Sequence, residues 1–152
     1  MIGFQAHIGH VPALASILWS GEGHSVFGQG SRGPVKHLGD LLALLRAVRR
    51  GWVHGLRDGH RVLGFVLRDE DQLHALYVHP KAQRRGVGTA LMAQAQSMSP
   101  RLELWCLQAN HGARSFYHRQ GFSVFFFGRD TANDAAEGHP QMKMVWQKES
   151  SL

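Results

Sequence analysis

The stretch HPKAQRRGVGTALM, His79 to Met92, leaves the chain few ways to run. The apolar segment QLHALYV precedes it, Pro80 interrupts it, two glycines spaced G-x-G follow, and helix formers then take over. The pattern predicts a strand that hands over to a helix through a tight, basic turn. A helix start has backbone N–H groups without intrahelical partners, and the helix dipole adds partial positive charge there. Gly86 and Gly88 have no side chains, so a ligand can come close to the backbone. Gln83, Arg84 and Arg85 add donors and charge. Such a turn suits a phosphate, and in particular a pyrophosphate that needs several donors at once. The plainer alternative is a basic helix start whose glycines only permit the turn. A dinucleotide fingerprint is excluded because Leu91 stands where its third glycine would be, and a P-loop because no G-K-[ST] follows.

The rest of the chain reads as a single domain, 1–152. MIGFQAHI alternates weakly, as a first strand does. HVPALASILWS and VKHLGDLLALLRAVRR carry helical apolar spacing on either side of a glycine-rich loop, residues 21–34. GWVHGL, HRVLGFVLRD and QLHALYVHP read as consecutive strands. GVGTALMAQAQSM is a helix stopped by Pro100, RLELWCLQ a fifth strand, and ANHGARSFYHRQG a short helix with Gly121 past its end. FSVFFFG and MKMVWQ are the last strands, around a polar loop. Phe125, Phe126, Phe127 and Trp146 read as sheet residues that pack on both faces. The order β-α-α-β-β-β-α-β-α-β-β implies an α/β fold with a mixed, mostly antiparallel central sheet flanked by helices.

The net charge is +6, from 17 basic and 11 acidic residues, which favours an anionic partner. The single cysteine, Cys106, allows no disulfide within the chain, so a reducing cytoplasm is the default location. Cys106 itself reads as a small apolar filler. No signal peptide and no membrane-spanning run is legible. The histidines show no ligand spacing for a metal.

LYVHPKAQRRGVGTALM resembles the acyl-CoA-binding motif of the GNAT acyltransferase superfamily: a strand ending V-x-P, then Q/R-x-x-G-x-G/A opening a helix. Here that motif is Gln83, Arg84, Arg85, Gly86, Val87, Gly88. NHGARSFYHRQGF resembles the second motif of the family, N-x-x-A-x-x-F-Y-x-x-x-G-F, at Asn110, Ala113, Phe116, Tyr117, Gly121 and Phe122. The resemblance implies that the anion is the pyrophosphate of acetyl-CoA, held on backbone N–H groups from Arg84 to Thr89. It implies that the pantetheine arm pairs with Leu76, Tyr77 and Val78, where the fourth and fifth strands splay apart, and that Asn110 contacts the arm from the other side. It also implies that Tyr117 protonates the departing thiolate and that the Val78 N–H is the oxyanion donor.

A general base is needed for an amine that is mostly protonated at neutral pH. His74 lies four residues before Val78 and, by strand period, on the same side. It matches the second histidine of the H-x-H-x-L-x-V-H strand of arylalkylamine N-acetyltransferases, while Gln72 replaces the first. Glu103 and a water chain are the other candidates. His79 reads as an exposed turn residue.

The acceptor is then a small-molecule or peptide amine. In this family it is held by residues 21–34 and 128–141, the latter bearing Asp130, Asp134 and Glu137. Phe126 or Trp105 could line its pocket. A homodimer is compatible with this reading. The competing classes are a silent acyl-CoA sensor, which would not need Tyr117, and a nucleic-acid module using Arg46, Arg49, Arg50, Lys81, Arg84 and Arg85. Against the latter, those cations do not interleave with aromatics and no nucleic-acid motif is present.

Overall fold

The computed structural model describes residues 1–20, 34–128 and 140–149, and side chains between 21 and 37 are outside that description. Strand β1 (Ile2–Gln5) is followed by α1 (Val11–Trp19) and α2 (Pro34–Arg49). Strands β2 (Val53–Asp58), β3 (Arg61–Asp69) and β4 (Gln72–Val78) form an antiparallel meander. Then come α3 (Val87–Met98), β5 (Arg101–Leu107), α4 (His111–Arg119), β6 (Ser123–Gly128) and β7 (Gln141–Gln147). They build one seven-stranded sheet in the order β1-β2-β3-β4-β5-β7-β6, antiparallel except for β4–β5. The expected element order and sheet type are observed.

Two apolar cores form because strand side chains alternate between the faces of a sheet. Leu76, Val78, Leu91, Met92, Leu104 and Tyr117 join one core, on the face of α3 and α4. Leu14, Leu44, Val53, Phe65, Ala75 and Tyr77 join the other, on the face of α1 and α2. Leu91, at the place of the missing third glycine, is fully buried, which is worth about 2 kcal/mol relative to exposure. Its seat exists because residue 64 is glycine. A Cβ there would stand 2.9 Å from Leu91 Cδ1 and 2.5 Å from the Tyr77 carbonyl oxygen.

The structure departs from the expected elements in two places. The first strand ends at Gln5, and Ile8–His10 is a 3-10 turn. The cause is local: His7 Nδ1 accepts from the Gly9 N–H at 3.1 Å, and His10 Nδ1 accepts from the His7 N–H at 3.0 Å. Phe125, Phe126 and Phe127 do not pack on both faces. β6 is an edge strand, so these rings are 67, 54 and 61% exposed. Val124 pairs with Met144 and Phe126 with Lys143, which leaves Phe125 as the extra residue of a bulge.

Candidate active site

β4 and β5 pair only at Gln72↔Glu103 among the described residues. Beyond that point they part, so the fork expected from the sequence is present. Leu76, Tyr77 and Val78 pair with Val66, Phe65 and Gly64 of β3 on one side. Their other side faces the gap. Leu76 and Val78 send side chains into the α3/α4 core and Tyr77 into the α1/α2 core.

The basic turn stands at the mouth of this fork. Arg84 and Gly86 are both left-handed, at φ 62° and 78°, which curls the chain into a turn of the kind that gathers N–H groups. Gly86 is the N-cap of α3 and supplies no side-chain cap to its first-turn N–H groups. A Cβ on Gly86 would meet nothing within 4 Å, so the space in front of the helix is open. Gln83, Arg84 and Arg85 are exposed around it, while Val87 turns its side chain into the core and offers only backbone. His79 is half-buried rather than exposed. Its Nδ1 accepts from the Lys81 N–H at 3.0 Å and shapes the start of the turn.

The second motif meets the first here. A Cβ on Gly88 would lie 3.4 Å from the Phe116 ring and 3.8 Å from Val78 Cγ2. Asn110 caps α4, with Oδ1 accepting from the Ala113 N–H at 3.1 Å, and Ala113 is buried beneath it. Tyr117 is 1% exposed and packs edge-on against Phe116 and Phe122. Its hydroxyl has no hydrogen-bond partner among the described residues. Burial pushes its phenol strongly upward, helped by Cys106 on β5 and Tyr77 on β4, so the group stays protonated. An orphaned buried hydroxyl costs about 1–3 kcal/mol. The Tyr117 ring lies in the core that also holds Leu76 and Val78 of β4 and Leu104 and Cys106 of β5. Burial also pushes the Cys106 thiol up to about 11, which leaves it inert, as its reading as a filler requires. The open cradle at Gly86, the unpaired edge of β4 and the orphaned hydroxyl all fit an acyl-CoA laid through the fork.

Two base candidates change. His74 does not share a side with Val78. Leu67 pairs with Ala75 and Arg68 with Leu73, so His74 is the extra residue of a bulge that resets the alternation. Its ring stacks on Trp52 at 5.8 Å, and Trp52 packs on the α1/α2 core and lies under the Arg50 guanidinium at 4.9 Å. Glu103 is no base. Burial alone would raise its carboxyl, but bonds from Arg101 at 2.7 Å, Gln72 at 2.5 Å and Lys143 at 3.2 Å outweigh that and hold it at about 2. The Arg101 contact was legible as an i,i+2 pair on one strand face, whereas the Lys143 contact needed the β5–β7 register.

Glu103→Gln is expected to destabilise the fold at pH 7 by about 1–2 kcal/mol, since Arg101 is partly exposed. The folded carboxyl lies below its ordinary value of 4.5, so its contribution is present above pH 4.5 and fades toward about 2. Urea denaturation of both proteins at pH 7 and pH 3 would read this. An equal gap at both pH values contradicts it.

Trp105 and Phe126 meet edge-on at 6.3 Å on the Glu103 face of the sheet. The acceptor segments 21–33 and 129–139, with Asp130, Asp134 and Glu137, lie outside the described residues. No described helix is long and apolar enough to cross a membrane.

The family described as acetyltransferase (GNAT) domain matches residues 49–124, which hold the basic turn, the fork and Tyr117. Peptidyl-lysine N-acetyltransferase YiaC of Escherichia coli is 42% identical over 90 residues, 56% of this chain and 60% of that protein. Peptidyl-lysine N-acetyltransferase YjaB of Salmonella typhimurium is 27% identical over 95 residues, 62% of this chain and 63% of that one. The chain thus spans about three fifths of the length of these curated relatives. A GNAT-family acetyltransferase of Bacillus cereus superposes with a TM-score of 0.75 at 16% identity, over 98% of each chain. Rv2747 of Mycobacterium tuberculosis, solved with CoA and NLQ, superposes at 0.67 and 14% identity over 98% of this chain and 100% of that one. The two motifs, the forked sheet and the matched domain make this chain a member of the GNAT acetyltransferase family.

Proposed function

We infer that the chain transfers an acetyl group from acetyl-CoA to a primary amine, by direct attack of the amine on the thioester. The orphaned Tyr117 hydroxyl beside the open fork carries this reading. Acetyl-CoA supplies an activated acyl group with a thiolate as leaving group. Backbone N–H groups from Arg84 to Thr89 hold the pyrophosphate, with Gln83, Arg84 and Arg85 adding charge and donors. Leu76, Tyr77 and Val78 bind the pantetheine on the side of β4 that faces the gap, and the Val78 N–H donates to the carbonyl oxygen as negative charge develops. Asn110 has committed Oδ1 to the helix cap, so its Nδ2 is the end that meets the arm. Ala113 and Phe116 wall the groove beside Gly88.

Tyr117 holds its proton more tightly than a thiol does. It therefore stabilises the departing sulfur by donating a hydrogen bond, and the proton that ends on sulfur comes from the amine. His74, half-buried on the α1/α2 face and braced by Trp52, takes the proton from the acceptor. The acceptor class we favour is a lysine side chain of a peptide, because the relatives matched over three fifths of their length carry that description.

Calorimetric titration with acetyl-CoA, beside phosphopantetheine that lacks the adenosine half and the second phosphate, tests the cofactor site. Binding that needs the pyrophosphate supports it, and no binding to either sinks it. Thiol release with a lysine peptide and with a small polyamine then tests the acceptor. His74→Gln is expected to slow turnover about 100-fold and to flatten its rise with pH. An unchanged pH profile removes His74 as base.

A further inference from the structure

α4 is a short helix, and it buries Ala113 and Tyr117 toward the fork. A second stripe, His111, Arg114 and His118, faces the other way, at helical spacings of three, four and seven residues. Because β6 extends the sheet beyond α4, a cleft of about 340 Å³ remains between that stripe and the β6–β7 hairpin. Its floor is Val124, Met142 and Met144, and Ser115 adds a hydroxyl at its wall. The two methionines are fully or almost fully buried beneath it, so the accessible apolar surface of the floor is Val124, 42% exposed. No carboxylate lines the cleft among the described residues.

Arg114 is set in place before any ligand arrives. Its Nη1 donates to the Gln108 carbonyl at 2.9 Å, and Gln108 Nε2 donates to the Gln141 carbonyl at 2.9 Å. The guanidinium is thereby tied to the start of β7, which lowers the ordering cost of binding. Its planar fork matches a carboxylate. Inorganic phosphate would satisfy the donors but cover none of the apolar floor.

We propose that this cleft is a second ligand site, separate from the acyl-CoA fork, for a small carboxylate with an apolar body. The carboxylate lies against Arg114, His111 and His118, and the apolar part covers Val124. The volume falls at the small end of ligand pockets, which suits an aryl or branched short-chain acid.

The probes are 3-phenylpropionate, its neutral amide, and inorganic phosphate, followed by imidazole NMR signals of His111 and His118 and by calorimetry. Phenylpropionate is expected to shift both imidazoles saturably, to bind about tenfold more tightly than the amide or phosphate, and to do so equally with saturating CoA. Arg114→Gln should weaken binding about tenfold. Val124→Glu, at an exposed edge-strand position where folding is tolerant, should do the same by setting a like charge on the floor. Equal binding of the amide, equal binding of phosphate, displacement by CoA, no saturable shift, or wild-type affinity in both variants would each overturn the proposal.

Discussion

Tyr117→Phe is expected to cut turnover about 100-fold, to leave acetyl-CoA affinity within about twofold, and to make the protein slightly more stable. The three effects together are distinctive. Phenylalanine keeps the edge-on packing against Phe116 at 5.3 Å and Phe122 at 5.8 Å, so the α4 core stays filled. The only atom removed is a buried hydroxyl with no partner among the described residues. Removing an unsatisfied polar group recovers about 1 kcal/mol for the fold, while the reaction loses the donor that stabilises the leaving sulfur. Steady-state kinetics, calorimetry and thermal melting on the same preparation read all three. Unchanged turnover removes Tyr117 from the chemistry, and a large drop in melting temperature means that its hydroxyl is structural.

Gly86→Asp is expected to weaken acetyl-CoA binding about 100-fold in a protein that still folds. Gly86 has φ 78°, a conformation that aspartate tolerates better than most residues, and a Cβ there meets open space. The new carboxylate could also cap α3, which lacks a side-chain cap. The fold therefore loses little. The carboxylate would stand in the proposed pyrophosphate site, and like charges repel. Gly86→Asn is the control: it has the same shape and no charge, so it should retain most of the affinity. Comparable losses in both variants would mean that shape, not charge, governs the turn.

The order of elements and the basic turn were legible because each is written locally, while the fork was expected only from the family resemblance. Alternation marks β3 and β4, Pro100 ends α3, and the two glycines sit at the helix start where backbone must be bare. The side of the sheet on which His74 lies was not legible. One extra residue in β4 reverses the alternation, and a bulge is defined by its partner strand, not by its own sequence. The Lys143 partner of Glu103 was not legible for a similar reason: it reaches the carboxylate across a β5–β7 register set by chain some forty residues away. Phe125 to Phe127 misled because an edge strand and an inner strand can share one composition, and strand order alone decides between them. The reading of residues 21–34 as a loop and the acceptor loops fall largely on residues outside the described set.

That β4 and β5 pair only at Gln72↔Glu103 among the described residues has a consequence for cohesion. One half of the sheet, β1 to β4, holds together by its own ladders, and so does the other, β5, β7 and β6. Between them runs a seam with almost no backbone bonding, bridged by α3, α4 and the buried side chains beneath them. A molecule bonded along the free edge of β4 supplies the hydrogen bonds that a neighbouring strand would have made. Such a ligand would act as an interstrand splint between the two halves of the sheet. At a hundredfold excess over its dissociation constant, that splint adds about 2.7 kcal/mol, a large share of what usually keeps a domain of this size folded.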